Sequence, residues 1–111
     1  MFANFETMEK KMSMRVRFTV DDLDFSLPLS YVMERPHSNK TVWHCRVENT
    51  DEALPEWVTR EFVVIQSQKD DVGHRQVVPR DSSWGSLYGA MFADHVASEL
   101  VFRERVLMNK N

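Results

Sequence analysis

Residues 82–108 read SSWGSLYGAMFADHVASELVFRERVLM, and the predicted fold depends most on this stretch. It contains no proline and is rich in Ala, Leu, Met, Glu and Arg, which favour the α-helix. Asp81, Ser82 and Ser83, at its start, offer side-chain oxygens that can cap the first amide groups of a helix. The sequence therefore predicts one long C-terminal helix over residues 82–108.

Apolar side chains surround this predicted helix almost completely when successive residues are placed about 100° apart. A small domain rarely covers a helix on every side, so one side is expected to meet another chain, most simply a second copy. The alternative is that long strands curl around the helix within one chain. The predicted dimer interface is the aromatic-rich side, with Trp84, Tyr88, Met91, His95, Phe102 and Val106.

Small residues recur every four positions in the same stretch, at Gly85, Gly89, Ala93 and Ala97. Residues four apart are neighbours on a helix surface, so this spacing predicts a groove into which another backbone fits closely. Two glycines inside a helix each cost about 1 kcal/mol relative to alanine, and close packing would offset that cost.

Length and composition indicate one domain and exclude some classes of function. The chain has 111 residues, enough for a real hydrophobic core. Its net charge of −3 argues against direct binding to DNA or RNA, which usually goes with a basic excess. The single cysteine, Cys45, excludes an intramolecular disulfide and favours a reducing compartment, by default the cytoplasm.

The N-terminal residues lack the basic region and apolar core of a signal peptide. The charged Asp94, Glu99 and Arg103 within the predicted helix argue against a membrane-spanning segment. We divide the chain into a flexible N-terminal arm, residues 1–11, and a single domain, residues 12–111.

Two alternating segments near the N-terminus predict a β-hairpin. Apolar and polar residues alternate without a break over residues 12–20, which is typical of a strand with one buried face. Asp21 and Asp22 then form a tight turn, and the alternation resumes from Leu23. Pro28 cannot donate a ladder hydrogen bond, so the second strand is expected to be an edge strand or to be interrupted there.

Three further strands are predicted, at residues 41–48, 59–68 and 75–78, with a loop over residues 34–40. Residues 57–66 are ambiguous, because their apolar positions also fit one side of a helix, but their β-branched and aromatic residues favour a strand. The predicted fold class is α+β, an antiparallel β-meander of about five strands packed on one long C-terminal helix.

Alternate loops of a meander emerge at the same end of the sheet. The loops after the first and third strands should therefore share an end, and they carry acidic residues but no Lys or Arg. Such an end can steer a basic partner or imitate a phosphate backbone, although the same residues also simply favour turns. The predicted acidic pole consists of Asp21, Asp22, Asp24, Glu48, Asp51, Glu52 and Glu56.

Enzymatic chemistry has little support in the sequence. His37 and His74 are expected at the opposite end of the sheet with Asp70 and Asp71, a set that would suit a small hydrolase. Neither the spacing nor the neighbours of these residues match a known catalytic motif. No metal or cofactor is expected, since a metal site needs several convergent ligands.

These observations predict a small non-enzymatic protein–protein interaction module that forms a homodimer. Its acidic pole would mask a basic surface of a larger protein or protein–nucleic-acid complex, as an inhibitor or adaptor such as a phage-type anti-defence protein does. One alternative is a structural subunit of a larger assembly, in which the apolar helix packs between subunits. The other is the small hydrolase-like enzyme.

Overall fold

The computed structural model describes residues 10–37, 39–48, 54–69, 72–80 and 83–109. Within these ranges the chain forms five strands and one helix. In chain order they are β1 (Lys11–Val20), β2 (Leu23–His37), β3 (Lys40–Val47), β4 (Glu61–Lys69), β5 (Val72–Pro79) and α1 (Leu87–Asn109). The strands form one antiparallel sheet in the order β1-β2-β3-β4-β5, which confirms the predicted α+β meander with a single C-terminal helix.

The hairpin of β1 and β2 closes at the tight turn that the sequence predicts. Val20 pairs with Leu23, so Asp21 and Asp22 are the only two residues of the loop. Both aspartates have positive φ, 49° and 66°, as a type I′ hairpin turn requires. This turn matches the right-handed twist of the strands, but it is usually built with Asn-Gly or Asp-Gly.

The strand β2 is longer than predicted, because it runs on to His37 through the segment predicted as a loop. Glu34 pairs with Val42, and the register then shifts between Glu34 and His37. The strand is not interrupted at Pro28, whose carbonyl accepts a hydrogen bond from the Glu48 amide. The Pro28 nitrogen faces the same side, where β3 has just ended, so no ladder donor is lost.

The β1–β2 hairpin extends well past the rest of the sheet. The last residue of β3, Val47, pairs with Leu29, which in turn pairs with Met14. From Met14 the hairpin continues for six residues to Val20, about 20 Å at the usual rise of a strand. The tip of the hairpin therefore stands clear of β3, on the side of the sheet where α1 begins.

The strand β4 settles the ambiguity of residues 57–66, since Glu61–Lys69 is a strand that pairs with both β3 and β5. Before it, residues 54–60 form a connecting segment with a turn at Glu56 and Trp57, where the Val58 amide donates to the Pro55 carbonyl. The strand β5 is longer than the predicted residues 75–78, because it begins at Val72 and ends at Pro79.

The helix α1 begins later than predicted, at Leu87, and the predicted cap at residues 81–83 is wrong. The Ser86 hydroxyl accepts from the Tyr88 amide at 3.1 Å, and the Ser86 carbonyl accepts from the Ala90 amide. Ser86 is therefore the N-cap. Gly85, predicted as a helix residue, lies outside α1 with φ +70°, a conformation that glycine adopts without strain.

The helix packs along one face of a curled sheet, and its backbone comes within 8 Å of both edge strands, β1 and β5, and of β4. The core between helix and sheet is continuous, and α1 contributes Phe92, Ala93, Val96, Ala97 and Leu100, all 2% exposed or less. The sheet contributes Met14, Val16, Leu27, Leu29, Trp43, Cys45, Val47, Phe62 and Val64.

Gly89 is the position where the predicted close approach of a backbone occurs. A Cβ atom built there would lie 2.6 Å from the Trp57 carbonyl oxygen and 2.8 Å from the Thr59 hydroxyl. Since no side chain fits in that space, glycine lets the segment before β4 lie directly against α1. The approaching backbone belongs to the same chain, and it follows the loop at the acidic end of the sheet.

Some predictions fall outside the described residues. Residues 1–9 of the predicted arm are among them, while Lys11 of that arm is the first residue of β1. Asp51 and Glu52 of the predicted acidic pole also lie outside, and so do Asp70 and Asp71.

Candidate functional site

The hairpin tip and the first turn of α1 are joined by a hydrogen bond. The Tyr88 hydroxyl donates to the Asp21 carboxylate, with oxygen–oxygen distances of 3.2 and 3.3 Å. The strand order puts the loops after β1 and β3 at this end of the sheet, and the helix begins there too. One residue of the predicted acidic pole therefore contacts one residue of the predicted dimer interface.

An aromatic cluster under the hairpin holds these two elements together. The Phe18 ring on β1 lies 5.6 Å from Trp57, 5.4 Å from Phe92 and 5.6 Å from His95, centroid to centroid. Phe25 on β2 adds a contact of 5.4 Å with Trp57. Tilted and edge-to-face ring pairs at these distances are favourable, so the overhanging hairpin has its own support beyond the end of β3.

Several large apolar side chains are exposed around the junction of the hairpin and α1. Leu23 is 62% exposed, Leu87 74%, Tyr88 37% and Met91 49%. By register, Leu23 lies on the same face of the sheet as Phe25 and Leu27, which is the face that carries the helix. We call the group of Asp21, Asp22, Leu23, Leu87, Tyr88 and Met91 the tip surface.

Sequence reasoning missed Leu23 and Leu87 as surface residues. Leu23 continues the alternating apolar face of β2, which predicts burial, but in the structure it is exposed although its cross-strand partner Val20 is buried. Leu87 is the first residue of α1 and points away from the sheet. A helix start placed after Gly85 and Ser86 would have predicted that Leu87 is exposed.

The other acids of the predicted pole are not all brought together. Asp24 accepts a hydrogen bond from the Thr19 hydroxyl at 2.6 Å, on the exposed face of the hairpin. Glu56 is exposed in the turn before β4. Glu48 lies on the sheet face opposite α1, where it accepts from Ser30 at 2.5 Å and pairs with Lys11 at 3.3 Å. Of the described members of the predicted pole, Asp21 and Asp22 therefore lie at the tip itself, and Asp24 lies next to them on the exposed face.

Two ionisable groups of this region have shifted pKa values. The pKa of Tyr88 is raised above its usual 10.0, first because the negative charge of Asp21 opposes a phenolate and then because the hydroxyl donates to that carboxylate. The pKa of Glu48 is lowered from its usual 4.5, mainly because the Ser30 hydroxyl and then Lys11 donate hydrogen bonds to the charged form.

The residues of the predicted dimer interface do not all face the same way. Met91 and Phe102 are on the outer side of α1, with Phe102 64% exposed, and Tyr88 flanks them. Trp84 precedes the helix and packs on the core, with its ring 6.2 Å from Phe62. His95 is half-buried beside Phe18, and the Val106 side chain lies outside the described residues.

The structure does not test the residues of the hydrolase alternative, and it places Cys45 and His44 on opposite faces of β3. The side chains of His37 and His74 lie outside the described residues. Cys45 is buried, and burial raises its pKa to about 12, so it is a protonated thiol at neutral pH. His44 is on the other face of β3, within 2.8 Å of Glu34. Among residues with described side chains, no three His, Cys, Asp or Glu are grouped as metal ligands.

The sheet face opposite α1 carries charges of both signs. Lys11 pairs with Glu48, Arg80 with Glu61 at 3.3 Å, and His44 with Glu34. Positive groups that already lie beside carboxylates give a weaker field than an isolated basic patch would.

Comparisons with protein-family models, curated proteins and solved structures found no match to this chain. Within the ranges that the structure covers, no helix combines the length and the apolar character needed to cross a membrane. Function must therefore be inferred from the geometry of the tip surface and of the outer side of α1.

Proposed function

We propose that this chain is a small non-enzymatic protein-binding module that acts in the cytoplasm as an inhibitor or adaptor. Its tip surface would cover a basic surface of a larger protein or protein–nucleic-acid complex. The observation that carries the proposal is the placement of two aspartates, at the end of an overhanging hairpin, beside exposed Leu23, Leu87 and Tyr88.

The backbone at the tip supports a role for the aspartate side chains. A residue with a Cβ pays about 1–2 kcal/mol to adopt a left-handed conformation, which glycine adopts freely. Asp21 and Asp22 both do so, where a glycine at the second position would make a more stable turn. Backbone strain clusters at functional sites, and two adjacent carboxylates suit the attraction of a cation.

The exposed apolar side chains next to these carboxylates define the chemistry of the partner. Contiguous apolar surface with a charged rim is typical of a protein–protein interface. A surface that combines basic residues with apolar side chains would match it, because arginine and lysine bury their aliphatic stems while their charged groups reach the acids. A nucleic-acid-binding surface has this character, so masking one is the activity we propose, as in a phage-type anti-defence protein.

A second candidate function is a structural subunit of a larger assembly, and it is favoured by the outer side of α1. Leu87, Met91 and Phe102 are each about half to three-quarters exposed on a helix whose opposite side is fully buried. A homodimer is the simplest assembly that covers them, and it would leave Asp21, Asp22, Leu23 and Tyr88 of the tip surface for a partner.

Affinity capture from the native host, with matched variants as bait, tests the partner-binding proposal. The first variant is Asp21→Ser with Asp22→Ser, which removes two charges from the tip. The control variant is Glu34→Gln with Glu61→Gln, which removes two charges from residues paired with His44 and Arg80 on the opposite sheet face. Both variants have the same net charge.

We expect the wild type and the control to retain the same partner and the tip variant to lose it. The circular dichroism and the unfolding midpoint of each variant establish that it is folded. Equal recovery of one partner by all three baits would show that the tip carboxylates do not bind it.

A further inference from the structure

One stripe of exposed residues runs along the outer side of α1. Its members are Leu87, Met91, Asp94, Ser98 and Phe102. Steps of three and four residues keep all five on one side of a helix. Its last four members, Met91, Asp94, Ser98 and Phe102, are apolar, polar, polar and apolar, so these four show the same pattern when they are read in reverse.

We propose that a second copy of this chain covers the stripe with its own α1 running antiparallel, about a two-fold axis that passes beside residue 96. Facing residues then have numbers that add to about 192. Met91 of one copy faces Phe102 of the other, and Asp94 faces Ser98. This inference rests on the homodimer proposed above and adds its orientation and register.

Electrostatic interactions favour the antiparallel pairing over the parallel pairing. A parallel pair would place each Asp94 against its own counterpart, and like charges that face each other are destabilising. It would also bring the two hairpin tips side by side, since Asp21 lies against the first turn of α1. The antiparallel pair instead lets the Ser98 hydroxyl donate to the facing carboxylate of Asp94, which Arg75 already approaches at 3.5 Å.

The size of the stripe predicts a weak dimer. A standard stable interface buries about 800 Å² on each partner, and one side of a helix with three large apolar residues offers less than that. We therefore expect dissociation on dilution, with the apolar contact of Met91 and Phe102 as the main source of affinity.

The antiparallel register also fixes where the two tip surfaces lie. Tyr88 is eight residues from the axis at residue 96, so the two tyrosines are about 24 Å apart along the helix direction at 1.5 Å per residue. The acidic tips lie at opposite ends of the dimer. A dimer of this form contacts two basic sites on one partner or on two copies of a partner.

Opposite charges introduced at Met91 and Phe102 test both the dimer and its orientation. The two single variants are Met91→Lys and Phe102→Glu, and the third variant carries both substitutions in one chain. Sedimentation equilibrium of the full chain over a range of concentrations gives the dissociation constant of each. Circular dichroism establishes that α1 is intact in every variant.

We expect the wild type to dimerise and each single variant to dimerise at least about tenfold more weakly, because a charge replaces a central apolar contact. The double variant should recover dimerisation, since the lysine introduced on one copy would face the glutamate introduced on the other only in the antiparallel pair. A monomeric wild type, single variants that dimerise like the wild type, or a double variant weaker than both singles would each overturn the proposal. No partner enters this experiment, so its outcome is independent of the capture experiment.

Discussion

The Tyr88 hydroxyl donates to the Asp21 carboxylate, and this contact joins two residues that are 67 positions apart in the sequence. It connects the first turn of α1 to the tip of the β1–β2 hairpin. The acidic and the apolar surfaces that the sequence predicts separately therefore meet at one edge of the molecule. A partner bound to one of them lies close to the other.

The titration of Tyr88 reports this contact directly. Asp21→Asn removes the charge that opposes a phenolate, so the pKa of Tyr88 should fall back towards its usual 10.0. Because the folded pKa is raised, the stability that Tyr88 contributes is complete below pH 10 and is lost as the pH rises through the folded value. A ring-proton NMR titration of wild type and variant measures the shift. The same pKa in both would contradict the contact.

Relief of the turn strain should stabilise the protein. Asp22→Gly replaces a residue at φ 66° with one that adopts this angle freely, and we expect the free energy of unfolding to rise by about 1 kcal/mol. Urea denaturation measures the change. Asp24→Gly is the control, because Asp24 lies in β2 and bonds Thr19, so glycine there should lower stability. If both variants were equally destabilised, the tip would not be strained.

Substitution of Gly89 should be far more damaging than substitution of Gly85. Gly89→Ala places a Cβ 2.6 Å from the Trp57 carbonyl oxygen, and we expect a loss of about 2–3 kcal/mol because that backbone must move. Gly85→Ala meets no atom within 4 Å, so its cost should be only the roughly 1 kcal/mol of its left-handed conformation. Chemical denaturation of both variants gives the order, and a larger loss for Gly85→Ala would contradict the packing of α1 on the segment before β4.

The pH dependence of stability should depend on Glu48. Its pKa is lowered in the folded state, so its contribution is present above the usual 4.5 and is lost as the pH falls through the folded value. The wild type should be more stable than Glu48→Gln at neutral pH, and the two should converge in acid. Thermal unfolding of both proteins from neutral to acidic pH measures this. A constant difference at all pH values would show that the carboxylate charge has no role there.

The local patterns that formed the sheet were readable from the sequence. Strict alternation over residues 12–20 predicted β1, and the paired aspartates predicted the turn because each tolerates a left-handed conformation. The extension of β2 was hidden, because Glu34 and Arg35 suggest a loop by composition. In the folded chain Glu34 bonds His44 and Arg35 pairs with Glu104, and such long-range partners leave no local signal.

The tip surface could not be predicted from the sequence, because it depends on how distant strands pair. The overhang of the hairpin follows from the register between β2 and β3, which places Leu29 opposite Val47. The sequence identified Asp21, Tyr88 and Met91 as surface candidates, but it grouped Glu48 with Asp21, although Glu48 lies on the other sheet face. The stripe on α1 became visible only when burial separated its outer residues from Phe92 and Val96.

The salt dependence of partner binding is the sharpest test of whether the tip surface binds a basic partner. The partner recovered by affinity capture would be purified and titrated calorimetrically with wild type and with Asp21→Ser/Asp22→Ser, from low ionic strength to well above the physiological value. Exposed charges are screened by salt, so we expect the wild-type dissociation constant to rise steeply with salt and the variant to bind weakly with a flatter dependence. Equal affinities and equal salt slopes would contradict a tip surface that binds a basic partner.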